Sequence, residues 1–246
     1  MTSDRFLIVV HQKTSTPGRV GELLEERGYL LDRRCPCIGD DLPSDLSDYA
    51  GIAVFGGPMS ANDCQRLDGI RYEIDFTKRA LDADIPYLGL CLGGQILARA
   101  LGGTVSPHPE KHVEIGFTEV VPTPVARDEG LFDHSTHFFQ WHREGFEGLP
   151  ADAVMLAEGT NSFPNQAFRY GDRAYGLQFH PEITIDMIHR WNMGGGHRLG
   201  VPGGQPKRAH VKGWELFNDG VRAWTLSLFD RLGLHPVRAP MQTAAE

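Results

Sequence analysis

The chain has 246 residues, 41% of them hydrophobic and 23% charged, with a formal net charge of −8 and a mean hydropathy of −0.29. Such a chain can bury a substantial core, and its acidic balance argues against broad electrostatic binding to nucleic acid or to an anionic membrane. No apolar run approaches the roughly 18 residues of a spanning helix, no secretory signal pattern opens the chain, and four sparse cysteines fit reduced thiols, so a cytoplasmic location is expected.

Residues 6–10 form a short continuous apolar run, the pattern of a buried parallel strand. A helix is expected over 19–27, with Val20, Leu23 and Leu24 on one face and Gly28 as its stop. Residues 29–34 read as a second strand, 40–48 as a polar loop, and 51–55 as another buried strand ending in Gly56-Gly57-Pro58. A helix over 71–83, a strand over 85–90 and a helix over 93–101 follow. Repeated strand–helix units predict an α/β fold, a mostly parallel central sheet with helices on both faces.

The pattern then changes. Strands are expected over 113–117, 154–157 and 174–179, and helices over 183–191 and 214–232. The glycine-rich segment 193–204 is expected to resist any single backbone conformation, and the tail 235–246 to fray. No linker divides the chain, so 1–246 is expected to fold as one domain.

The chemistry concentrates where a strand runs through Gly89-Leu90-Cys91-Leu92-Gly93 into a helix. This is a nucleophile-elbow arrangement with cysteine in the reactive position. Its glycines suit a sharp turn packed against its neighbours. At a helix N-terminus the dipole favours the thiolate, and free N–H groups can face a carbonyl oxygen. A thiol that attacks an amide needs a base and a group to orient that base. Gln178-Phe179-His180-Pro181-Glu182 supplies both at the end of a strand. Neither motif is specific alone; together, on one sheet, they are.

Leu88-Gly89-Leu90-Cys91-Leu92-Gly93-Gly94-Gln95, Gln178-Phe179-His180-Pro181-Glu182 and Phe55-Gly56-Gly57-Pro58 together resemble the signature motifs of class I, triad-type glutamine amidotransferases. The likeness covers about residues 5–190. It implies a flavodoxin-like sheet, a Cys91–His180–Glu182 triad, and an oxyanion hole from the backbone of Gly57 and Leu92. It also implies a substrate-holding role for Gln95 and, more loosely, for Trp141, His142 and Arg143, where bulky and cationic residues replace the family's usual small ones.

The expected reaction is cysteine-dependent cleavage of the γ-amide of glutamine, or of a γ-glutamyl amide, through a thioester. The alternatives are a stand-alone γ-glutamyl hydrolase or peptidase, and a non-catalytic regulatory relative; the intact Cys91, His180 and Glu182 weigh against the last. No nucleotide-binding Gly-x-x-x-x-Gly-Lys-Ser/Thr loop is present, which leaves a separate synthetase subunit as the candidate partner for released ammonia. No cofactor is expected. No metal is expected at His108, His112, His134, His137 or His142, which no carboxylate–histidine metal motif frames, and the apolar positions in 214–232 read as core packing.

Overall fold

Strand β1 (Arg5–Val9) is buried at every position after Arg5, because apolar layers cover both of its faces. Phe6 and Ile8 enter one core, Leu7 and Val9 the other. The computed structural model describes residues 3–237, so the last part of the tail, 238–246, lies outside the described residues.

Helix α1 (Gly18–Glu26) carries its buried Val20, Leu23 and Leu24 onto the first core. Strands β2 (Leu30–Arg34) and β3 (Tyr49–Val54) follow, then α2 (Asp68–Asp82), β4 (Tyr87–Leu90) and α3 (Leu92–Ala100). Helices α2 and α3 cover the second core with Ile70, Phe76, Ile96 and Leu97. The remaining elements are β5 (Thr104–Pro107), β6 (Glu114–Pro122), α4 (Pro124–Asp128), β7 (His137–His142), β8 (Glu144–Glu147), β9 (Ala153–Gly159), β10 (Asn165–Tyr170), β11 (Ala174–Leu177), α5 (Ile185–Gly194) and α6 (Lys207–Arg231). Val221, Trp224, Leu228 and Phe229 of α6 join α1 on the first face.

The main sheet runs β2-β1-β3-β4-β11-β10-β9-β6-β7, with β5 and β8 pairing separately. It is parallel from β2 to β11 and antiparallel from β11 to β7. The expected α/β sheet with helices on both faces is present, and the parallel part carries the cysteine and His-Pro-Glu motifs at the ends of adjacent strands β4 and β11.

Four strands have no counterpart in the sequence reading. β7 and β10 bury polar residues that mask the strand pattern: Gln140 and Gln166 are at most 1% exposed, and Gln166 Nε2 donates to Glu114 Oε2 at 2.8 Å. β5 and β8 have four residues each, too few to show a period. Helix α6 begins at Lys207 rather than 214.

The glycine-rich segment differs most from expectation. Helix α5 runs to Gly194 and one 3₁₀ stretch, Gly196–Gly200, follows. The segment is then stitched to β6: Val113 N–H donates to Pro202 O at 2.9 Å and Gln205 N–H to Ile115 O at 2.9 Å. Gly203 adopts a φ of 92°, and a Cβ there would fall 1.8 Å from the Val113 carbonyl oxygen. Its glycine serves a close backbone approach rather than freedom.

Candidate active site

The turn after β4 is strained at Cys91. Cys91 has φ 51° and ψ −105°, a region non-glycine residues occupy only when their surroundings over-determine it. Those surroundings are glycines: a Cβ on Gly89 would lie 2.5 Å from the Gly93 carbonyl oxygen, and one on Gly93 would lie 2.0 Å from the Val54 oxygen. The Cys91 N–H donates to Leu177 O of β11 at 2.8 Å, while its carbonyl accepts the Gln95 N–H at 3.0 Å and starts α3. The thiol therefore stands at a helix N-terminus, where unpaired N–H groups and the dipole favour negative charge.

His180 follows β11, its N–H donating to Phe139 O of β7 at 2.8 Å. Its Nδ1 lies 2.7 Å from Glu182 Oε1, and both side chains are about 2% exposed. The carboxylate fixes the tautomer, with Nδ1–H donating to it. Nε2 is buried with no hydrogen-bond partner among the described residues. A Cβ on Gly56 would fall 2.9 Å from His180 Cε1 and 3.6 Å from Cys91 Cβ, so the two side chains flank one glycine. Burial disfavours the imidazolium, but the charges of Glu182 and Cys91 outweigh it and lift the His180 pKa to about 10.

The start of α1 grips the turn between His180 and Glu182. Arg19 N–H donates to Glu182 O at 2.9 Å, and Arg19 Nη1 donates to Pro181 O at 3.3 Å. Gly18 permits this approach, since a Cβ there would lie 2.2 Å from the Glu182 oxygen.

These groups open on a cavity of about 470 Å³ whose lining includes Gly57, Cys91, Trp141, His180, Arg190 and Arg198. Cys91, His180, Glu182, Gly57 and Trp141 thus meet around one space, and Leu92 follows Cys91 at the helix start. Gln95 sits behind this layer, donating to Glu144 O at 2.8 Å and to Gln178 Oε1 at 3.2 Å. His142 is buried and bound at both ring nitrogens, to Glu144 O and to Glu114 Oε2, each at 3.0 Å. Neither residue is among those lining the cavity, nor is the exposed Arg143.

Several residues at the site escape sequence reasoning. Trp191 stacks edge-on against His180, and Arg190, His197 and Arg198 line the cavity from α5 and the glycine-rich segment. Burial and the nearby Arg143 both hold Arg198 below the usual guanidinium value. Gln178 Nε2 lies 3.9 Å from Cys91 Sγ. His11 and Glu73 form a buried pair beneath Gly56. Glu73 could have been noticed, because it interrupts the Ile70, Ile74, Thr77 stripe that faces the core in α2. Away from the site, His108, Glu110 and His112 place ligand atoms within 4.8 Å of one another on a turn, a grouping not expected from the sequence. Among the described residues no helix is long and apolar enough to cross a membrane.

The family model for class-I glutamine amidotransferases matches residues 24–187. A glutamine amidotransferase-like protein of Salmonella typhimurium, YfeJ, is 31% identical over 191 residues, covering 75% of this chain and 78% of that one. A glutamine-hydrolyzing GMP synthase of Porphyromonas gingivalis is 34% identical over 146 residues, or 58% of this chain but only 26% of that enzyme. The crystal structure of a glutamine amidotransferase from Methylobacillus flagellatus superimposes with a TM-score of 0.84 at 25% identity, covering 99% of this chain and all of that one. With more than half of the chain within the family model and a relative 31% identical across most of its length, the chain belongs to the class-I glutamine amidotransferase family.

Proposed function

We propose that the protein hydrolyses the γ-amide of glutamine or of a γ-glutamyl compound, with Cys91 as nucleophile, His180 as acid and base, and Glu182 orienting His180. One observation carries this reading: a strained cysteine at a helix N-terminus shares a cavity with a buried His–Glu pair whose Nε2 has no hydrogen-bond partner among the described residues. The Cys91 sulfur attacks the amide carbon, and the carbonyl π electrons move onto oxygen, where the N–H groups of Gly57 and Leu92 receive the charge. Collapse of this intermediate expels the nitrogen, which takes a proton from His180 Nε2 and departs as ammonia or an amine. Water, losing its proton to Nε2, attacks the thioester through a second oxyanion; the thiolate leaves with glutamate released.

The cavity itself favours a second reading, in which the substrate is larger than glutamine. Arg190, His197 and Arg198 line it, and among the described residues no carboxylate pairs with Arg190 or Arg198. A γ-glutamyl compound with a further carboxylate would supply the missing counter-charge. The GMP synthase relative motivates the other option, delivery of ammonia to a separate synthetase. Assaying the chain alone against glutamine, glutathione and γ-glutamyl amides, with ammonia and glutamate followed, separates these. Hydrolysis lost in Cys91→Ala supports the amidase reading. Silence of the wild-type chain on every substrate, alone and beside a synthetase partner, overturns it.

A further inference from the structure

A pair of glycines has no side chains to hold its peptide planes, yet the Gly56–Gly57 peptide carries one of the two N–H groups assigned above to the oxyanion. Beneath it lie His11, two residues past β1, and Glu73, from α2, each 1% exposed. His11 Nε2 is 2.8 Å from Glu73 Oε2, and His11 Nδ1 is 3.2 Å from the Gly56 carbonyl oxygen. An ionised carboxylate and a carbonyl both only accept hydrogen bonds. Nδ1 therefore donates to the Gly56 carbonyl, and Nε2 shares a proton with the Glu73 carboxyl. Among the described residues Glu73 Oε1 has no partner. A buried polar pair of this kind is commonly no more stabilising than apolar packing of the same volume.

The geometry of the peptide unit shows what the pair controls. The Gly56 carbonyl and the Gly57 N–H belong to one trans peptide and point in opposite directions. Holding the carbonyl on His11 turns the Gly57 N–H away from His11. Among the described residues that N–H has no backbone acceptor, so it is free for a ligand. A Cβ on Gly57 would fall 2.6 Å from His11 Cβ and 3.0 Å from Leu92 Cδ2, which places the imidazole directly against the loop. Without that anchor, a Gly-Gly peptide can rotate at little cost and present its carbonyl in place of its N–H.

We propose that His11, oriented by Glu73, is a positioning residue that locks the Gly56–Gly57 peptide with its N–H toward the oxyanion. This rests on the amidase reading above. The test compares two reactions of Cys91. Amide hydrolysis develops an oxyanion; alkylation by iodoacetamide displaces iodide and develops none, while needing the same thiolate. His11→Phe should lower kcat for a substrate the wild type hydrolyses by about 10²-fold, with KM within about threefold and the alkylation rate of Cys91 unchanged. His11→Asn, whose amide nitrogen can stand where Nδ1 stood, should recover most of the lost kcat. A His11→Phe variant with wild-type kcat overturns the lock and leaves the amidase reading standing. Equal losses in hydrolysis and alkylation also overturn it, because they mark a general collapse of the site, as does a His11→Asn variant no better than His11→Phe. A wild-type chain that alkylates but hydrolyses no amide removes the amidase reading, and the lock with it.

Discussion

The indole of Trp191 meets the imidazole of His180 edge to face, their ring centroids 4.9 Å apart and their planes at 78°. Trp191 belongs to α5, so the helix that follows the His-Pro-Glu turn folds back to enclose the His180 ring. Excluding water from this ring strengthens its interactions with Glu182 and Cys91, and that strengthening shapes what the site should do in solution.

The thiols should separate by reactivity. Cys91→Ala is expected to abolish amide hydrolysis, a loss of roughly 10⁴-fold or more, with the unfolding midpoint preserved. Burial raises Cys35, and it pushes Cys37, with Glu73 adding to the effect, up to about 12. A glutamine-like chloroketone at neutral pH should therefore label Cys91 and spare Cys35, Cys37 and Cys64, as read by peptide mass spectrometry. Even labelling of all four would remove Cys91 from its role.

Glu182→Gln keeps the shape of the turn and removes the charge that raises His180. Hydrolysis should fall with little change in KM, and by less than in His180→Ala. The His180 Cε1 proton should titrate near 10 in the wild type and at lower pH in the variant. A folded-state value above the usual 6.5 contributes stability that is complete below about 6.5 and lost as pH rises toward 10. Urea midpoints should thus fall between pH 7 and 10 more steeply for the wild type than for Glu182→Gln. Parallel curves would show that the pair is not coupled in this way.

Gly93→Ala should disable the elbow mechanically. Its Cβ would meet the Val54 backbone oxygen at 2.0 Å, and backbone cannot swing aside as a side chain can. The expected cost is roughly 3 kcal/mol or more, seen as a large drop in Tm, with residual activity falling further than Gly102→Ala, where a Cβ meets nothing within 4 Å but φ is 91°.

At the cavity mouth, Arg198→Ala should raise KM for γ-glutamyl compounds bearing an extra carboxylate more than it lowers kcat, and should leave glutamine turnover nearly unchanged. Arg143→Ala should act in the same direction but more weakly, because Arg143 is exposed and outside the cavity lining. Equal effects on charged and uncharged substrates would show that the rim does not read that carboxylate.

The parts of this site visible in the sequence are those in which chemistry and backbone geometry coincide. Cys91 announces itself through Gly89 and Gly93, and His180 through Pro181 and Glu182, because a sharp turn restricts residue choice within a few positions. His11, Trp191 and Arg198 come from three separate segments and meet only after folding, so no local pattern marks them; Glu73 shows only as a break in the apolar stripe of α2. The same holds for the fold. Continuous apolar strands such as β1 and β4 are legible because both faces are covered, whereas β7 and β10 bury Gln140 and Gln166 in a network with Glu114 and read as polar. The glycines at 203 and 204 mislead for a related reason: tight contact and flexibility demand the same residue.

The parallel pairing of β4 with β11 sets Gly89 opposite Gly176 and Leu90 opposite Leu177, in the middle of a sheet whose edges are β2 and β7. Amide hydrogen exchange should therefore proceed inward from both margins and reach this seam last. Partial opening at β2 or β7 would leave Cys91 and His180 in register, so their spacing should outlast much of the protection that surrounds it.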